Sequence, residues 1–388
     1  MMSKKQDERI NKRAVAGVFN FAPHYRLPIF RAMAEKLQMD LYFGDRVLTS
    51  IKPLEHNSIS RFKKILPTRY FKRFYYNRGF VRLLLSGRYR VIVLTGEIKN
   101  LSAWMALLFK SIHPNLKICL WTHGPYGAER GLAAKVGKLM YRMADHLFLY
   151  GDYARTQLLA LGIPDAKISV VYNSLDYRTQ VEIRKTLVVS STYPDHFNNS
   201  NPNLVYVGRI QEVKQIDLLV EAVALLHSQG NPVNLVIIGD GQDRELLESL
   251  VDKLGIASSV WFMGASYDET ILSQRLFDAD LCVSPGNVGL TAIHALTYGC
   301  PVITHNQFDK QMPEFEAITE GITGAFFIKD DVGNLAKTIG GWLRRSSNTN
   351  FRNEVRHSCY AVIDSKYNPN AQIETFDKAL TALKTNNK

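Results

Sequence analysis

With 388 residues, 46% of them hydrophobic, and a net charge of +12, the chain has material for two domains with separate cores, because single cores stop growing at roughly 250 to 300 residues. This composition excludes a disordered chain. The four cysteines, Cys119, Cys282, Cys300 and Cys359, lie far apart, which excludes paired zinc spacing and a disulfide framework and suits a reducing compartment.

In chain order, "MMSKKQDERINKR" is charged and runs straight toward a strand, so it lacks the apolar core of a secretory signal. No stretch reaches the roughly 18 uninterrupted apolar residues of a membrane span, and "LSAWMALLF" comes nearest. The expected location is the cytoplasm, with peripheral attachment to the inner face of the cytoplasmic membrane as the alternative. The runs "AVAGVFN" and "MDLYF" read as strands around the helical "LPIFRAMAEKL". From Arg61 to Arg90 there are ten basic residues and no acidic one, interleaved with Phe62, Tyr70, Phe71, Phe74, Tyr75, Tyr76 and Phe80. Such a segment is a solvated basic face, a nucleic-acid patch or a surface for anionic lipid. Aromatic density favours lipid, and without a helix-turn-helix, zinc or RNA-recognition signature no nucleic acid is expected.

Further strands, "RVIVLTG", "LKICLWTHG", "HLFLYG" and "KISVVYN", complete a first series, with Glu97 and His123 at strand ends. The polar, aperiodic "SSTYPDHFNNSNPN" reads as a linker and sets a boundary near residue 195. A second series follows: "NLVYVGR", "VNLVIIGDG", "SVWFMG", "DLCVSP", "PVITH" and "TGAFFI", separated by helical stretches. Two such series predict two doubly wound α/β domains, 1–195 and 196–365, followed by a helix within 366–388.

In open α/β sheets ligands bind beyond the carboxyl ends of the strands. In the second half these loops carry Gly208, Arg209, Gly239, Gly241, Gly264 and the stretch Ser284–Gly289. Glycines there are expected to let a ligand approach the backbone, and the first turn of a helix at Gly289, Leu290 and Thr291 suits phosphate. Leu290, Ile293 and Leu296 should face the core, with His294 on another face. Asp278-Ala279-Asp280 spells an acid-x-acid metal pattern but joins a helix end to a buried strand, and is read as structural. Gly239-Asp240-Gly241 lacks the third glycine of a dinucleotide fingerprint, since Arg244 stands there.

The blocks "YVGRIQEVKQIDLLVEAVALL", "LVIIGDGQDRELLESL", "VWFMG", "DADLCVSP", "ALTYGCPVITH", "MPEFEAI" and "GITGAFF", over about residues 203 to 328, resemble in order and spacing the family 4 (group 1) glycosyltransferases. The resemblance implies the GT-B fold: two facing Rossmann-like domains with a deep cleft between them and a last helix crossing back to the first. It also implies a retaining, metal-independent transfer that needs no cofactor, with a UDP or GDP sugar held by the second domain and a glycan or lipid-linked acceptor by the first. Arg209 and Lys214 match the family's cations that neutralise the donor diphosphate. His123 resembles its histidine near the transferred sugar, and Glu314 matches its proline-glutamate pair, with Glu316 beside it.

One departure stands out, because the family's two glutamates, separated by seven residues, are replaced by Gly286 and His294. His294 is then expected to bond a ribose hydroxyl, and Asn287 to replace part of the sugar contact. A nucleotide-sugar-binding protein without transferase activity, and a nucleotide-sugar epimerase or hydrolase, remain as other readings. A lipid-linked acceptor of bacterial surface glycan assembly would place its diphosphate near Lys72, Arg73 and Arg78, with Glu97 at the acceptor side.

Overall fold

The computed structural model describes residues 14–46, 53–125 and 131–385; the N-terminal segment read above lies outside them. The chain forms two compact units, one running up to Asp176 and resuming at Asn368, the other Tyr177–Tyr367.

The strands of the first unit are β1 (Ala14–Phe19), β2 (Met39–Phe43), β3 (Phe62–Ile65), β4 (Thr68–Phe71), β5 (Phe74–Asn77), β6 (Tyr89–Thr95), β7 (Lys117–Thr122), β8 (His146–Leu149) and β9 (Ile168–Val170). Seven form a parallel sheet in the order β3-β2-β1-β6-β7-β8-β9, and β4 and β5 form a separate antiparallel hairpin. The central strands read as continuous apolar runs because helices cover both faces of the sheet. The helix Pro369–Thr385 adds Ile373, Phe376 and Leu380 to the core built by β1, β2 and the helix Leu27–Lys36. Its Gln372 is clasped between the Ser174 hydroxyl and the carbonyl of Tyr172.

The second unit holds β10 (Asn203–Val207), β11 (Asn234–Ile238), β12 (Val260–Gly264), β13 (Leu281–Ser284), β14 (Val302–His305) and β15 (Gly324–Phe327), all parallel, in the order β12-β11-β10-β13-β14-β15. Each sheet therefore has a switch point where the strand order reverses: β1 beside β6 in the first, β10 beside β13 in the second.

The boundary expected near residue 195 falls instead at residues 176–177. The stretch read as a linker contains a helix, Thr192–Phe197, whose Tyr193 and Phe197 are buried. Tyr193 donates to the carbonyl of Arg275, and Ser190 bonds Asp278, so this segment is fastened to the second unit. Pro194 does not break the helix because it stands in its first turn, where no donor is needed.

Candidate functional site

In the second unit the loops after β10 and β13 open at the switch point. Arg209 is exposed on the first loop, and the 3-10 turn Glu212–Lys214 lays Lys214 against the second. Gly286 N donates to Lys214 O at 3.0 Å. In return Lys214 Nζ donates to the carbonyl of Asn287 at 2.7 Å and to its Oδ1 at 2.8 Å. Burial lowers the pKa of Lys214; Glu314 opposes this and Arg209 adds to it.

Beyond Gly289 begins the helix Leu290–Thr297, and no side chain caps its first turn. A Cβ on Gly289 would meet nothing nearer than Met312 Cγ at 4.0 Å, so the backbone there faces open space. Thr291 Oγ1 donates to Val207 O at 2.9 Å and pins the helix start to the end of β10. Gln311, buried, accepts from Val288 N and donates to Thr304 and His305, which fixes the loop from below. Two cations beside an uncapped helix start would electrostatically favour an anion there.

The helix Glu269–Asp278 is capped by Asp268. A single oxygen, Glu269 Oε1, accepts from His294 Nε2 at 2.9 Å, Tyr298 Oη at 2.5 Å and Gln180 Nε2 at 2.9 Å. Burial disfavours the carboxylate, yet these three donors outweigh it and hold its pKa down at about 2. Because a carboxylate only accepts, the His294 tautomer must carry its proton on Nε2. Tyr267, on the same loop, is 88% exposed.

The first unit has its own recess at its switch point, a cavity of about 170 Å³ lined among others by Asn20, Arg26, Glu97, Trp121, His123 and Tyr150. Glu97 accepts from Tyr75 Oη at 3.0 Å and from Asn20 Nδ2 at 3.4 Å. Burial raises its pKa, against the bond from Tyr75. The His123 ring stacks on Tyr150 at 4.3 Å, and the Arg26 guanidinium lies over Trp121 and Tyr150. Burial, helped by Arg26, holds the His123 pKa down at about 3. His123 is therefore neutral through the physiological range, and in an NMR titration its ring signals are expected to move only as the pH approaches about 3. Movement centred on the ordinary value of 6.5 would refute this environment.

Residues 194–358 match the model of the glycosyl transferases group 1 family. That stretch is a group 1 glycosyl transferase domain. Among relatives, a D-inositol 3-phosphate glycosyltransferase of Mycobacterium sp. strain KMS is 29% identical over 225 residues, 55% of this chain and 48% of that protein. The lipopolysaccharide 1,6-galactosyltransferase of Salmonella typhimurium is 26% identical over 273 residues, 63% of this chain and 70% of that protein. The chain thus spans about half the length of the mycobacterial relatives it matches. Among solved structures, Anabaena HepE in complex with UDP superposes with a TM-score of 0.70 at 14% identity, covering 95% of this chain and all of that one. A glycosyltransferase from Rickettsia africae gives 0.73 at 14%, covering 96% and 99%. The fold is GT-B.

Within the group 1 domain, Arg209, Lys214, Gly286, Asn287 and the helix start at Gly289, Leu290 and Thr291 come together around one switch point. Glu314, 3% exposed, lies on the 3-10 segment Pro313–Ala317 with the half-buried Glu316. Gly286 cannot carry a side chain, because a Cβ would stand 2.3 Å from Val213 O and 2.7 Å from Lys214 Cα. Asn287, the expected sugar contact, has its Oδ1 on Lys214. His294, the expected ribose contact, is bonded to Glu269. The acid missing from position 294 therefore has a neighbour supplied from another helix, and nothing in "DET" at a helix start marks it in the sequence.

At Gly239 and Gly241 a Cβ would lie 1.8 Å from Gly208 O and 2.0 Å from Ile210 O, so these glycines let neighbouring loops pack closely. One expectation needs correction. Leu290 is only half-buried, whereas Ile293 and Leu296 are in the core. Gly264, at φ +80°, occupies a left-handed turn. Asp278 and Asp280 serve structural contacts, with Ser190 and Gln274 and with Asn203 N and Arg352. Glu97 and His123 share the recess of the first unit. Lys72, Arg73 and Arg78 are exposed on and just after the hairpin β4–β5. Among the described residues no helix is long and apolar enough to cross a membrane.

Proposed function

We propose that the protein transfers a hexose from a nucleoside diphosphate sugar to a hydroxyl acceptor. The observation that carries this reading is the convergence of Lys214, Arg209 and the uncapped helix start at Leu290 in the group 1 domain. In such a transfer the sugar-phosphate bond breaks and the leaving diphosphate gathers negative charge. Fixed cations and amides aimed at that charge stabilise it more in the transition state than in the ground state. Asn287 holds the Lys214 ammonium in place before the donor arrives, so little reorganisation is needed. Departure of the diphosphate on the face from which the acceptor attacks would retain the anomeric configuration, the course we assign. Solved relatives of the same fold were obtained with UDP and with UDP-glucose, which supports a uridine diphosphate sugar as the donor. The Salmonella relative, a lipopolysaccharide galactosyltransferase, supports a glycan acceptor of the bacterial surface. The recess holding Glu97 and His123 is the acceptor side in this reading, with neutral His123 able to donate and accept toward hydroxyls.

Calorimetric titration of wild type and Lys214→Ala with UDP, GDP and ADP tests it. One diphosphate is expected to bind, with the substitution weakening it by about 10- to 100-fold, the loss of a charged hydrogen bond. No binding of any diphosphate would refute a donor site here. The absence of an acid at Gly286 favours a second reading, a nucleotide-sugar-binding protein without transfer. Donor binding with neither turnover nor sugar release on any acceptor extract would establish that reading, and release of free sugar or epimer without acceptor would point to a hydrolase or epimerase.

A further inference from the structure

The hairpin β4–β5 stands apart from the seven-stranded sheet, and its register sorts its side chains onto two faces. Thr68 pairs with Asn77 and Tyr70 with Tyr75, while Arg69 pairs with Tyr76 and Phe71 with Phe74; paired residues share a face, and faces alternate along a strand. The first set faces inward except at Tyr70, which is 38% exposed near the tip. Thr68, Tyr75 and Asn77 are buried, and Tyr75 reaches Glu97 in the recess. The second set faces outward, with Phe71 66% exposed, Tyr76 39% exposed and Arg69 beside them. At the tip, Lys72 and Arg73 are exposed and the Arg73 guanidinium lies 5.7 Å over the Phe74 ring. The next helix, Phe80–Leu85, buries Phe80 and Leu84 but leaves Val81, Arg82 and Leu85 outside.

The charge of this segment is also divided. Arg61, Lys63 and Arg88 converge on the buried Asp40 at 2.9 to 3.4 Å. Among the described residues, no carboxylate comes within ion-pair distance of Lys64, Arg69, Lys72, Arg73, Arg78 or Arg82. A merely solvated face has no use for an outward phenylalanine between uncompensated cations. A single-stranded nucleic acid could stack on the aromatics, but it leaves Val81 and Leu85 without a role. An anionic bilayer matches both parts, with phosphates for the cations and a headgroup region that accepts apolar side chains.

We propose that the outer face of this hairpin docks on an anionic lipid bilayer, with Phe71 entering the headgroup region and Arg69, Lys72 and Arg73 meeting lipid phosphates. Its inner face would then hold Glu97 of the recess close to that surface. Flotation of the full chain with phosphatidylcholine vesicles, and with vesicles also containing phosphatidylglycerol, tests this without donor or acceptor, so the outcome is independent of the transferase reading. Retention is expected on the anionic vesicles alone and should fall with added salt. Lys72→Ala with Arg73→Ala should weaken partition by roughly 20- to 30-fold, at about fivefold per cation. Phe71→Ser should weaken it while leaving the salt dependence in place. All three positions are exposed, and unchanged thermal melting verifies that the variants are folded. The proposal is overturned by absence of retention, by equal retention on neutral vesicles, or by folded variants that float like wild type. Capture of a single-stranded oligonucleotide with no vesicle binding also overturns it and assigns the face to nucleic acid.

Discussion

Gly286→Glu, which would restore on paper half of the paired-glutamate pattern, is expected to destabilise the group 1 domain by about 3 kcal/mol or more and to weaken diphosphate binding. The clash is at the first side-chain atom, 2.3 Å from Val213 O, and the obstacle is backbone, which cannot rotate aside as a side chain can. Gly286→Ala should therefore fail nearly as badly as the glutamate. Because Gly286 is not among the glycines with positive φ, the cost is steric and not torsional. Relief of the clash requires separation of Gly286 N from Lys214 O, a 3.0 Å bond, and that movement pulls Lys214 away from Asn287. Stability and donor affinity thus fall together. Urea unfolding with an unchanged denaturant slope, alongside calorimetry with the bound diphosphate, measures both. A Gly286→Glu protein that melts with wild type and binds the nucleotide more tightly would show that the loop makes room for the acid and that this account of the departure is wrong.

Features carried by single residues or by period were legible in the sequence, and those carried by pairs across the fold were not. Runs such as "RVIVLTG" and "VNLVIIGDG" specify buried parallel strands because their central positions, 91–94 and 235–238, are all apolar. Arg209 and Lys214 are marked in the sequence by their match to the family's cations, and the turn before Gly289 by the glycines that follow a strand end. The bond from Gln180 to Glu269 spans 89 residues and that from His294 spans 25, and neither leaves a local trace. The helix Thr192–Phe197 was hidden for a related reason: only Tyr193 and Phe197 are buried in it, too short a period to rise above polar neighbours. The close packing of the carbonyls of Gly208 and Ile210 on Gly239 and Gly241 likewise leaves no local trace. Similarly, the basic run from Arg61 to Arg90 reads as one surface, yet three of its charges converge on Asp40.

Glu269→Ala is expected to cost about 2 to 3 kcal/mol, because Tyr298, His294 and Gln180 lose one shared acceptor and part-buried donors left unmade are expensive. The charge itself adds a dependence on pH. Glu269 has a folded pKa of about 2 against an ordinary 4.5, so its stabilisation is fully present above about pH 4.5 and is lost as the pH falls toward 2. The shift taken alone corresponds to roughly 3 kcal/mol. With the Glu269 side chain 33% exposed, solvent screening reduces this to about 1 to 2 kcal/mol. Glu269→Gln should flatten that part of the stability profile while keeping the side chain's shape. His294→Glu, the other half of the family pattern, should be harmful because it sets two carboxylates where a 2.9 Å bond now stands. Exchanging the two, Glu269→His with His294→Glu, keeps one donor and one acceptor at the contact. It should therefore recover part of the stability that His294→Glu alone loses. If the exchange is as unstable as the two single substitutions added together, the two residues are not coupled. Their proximity in the fold would then carry no energetic weight, and the placement of an acid beside His294 would have no part in holding the helix Leu290–Thr297 at the switch point.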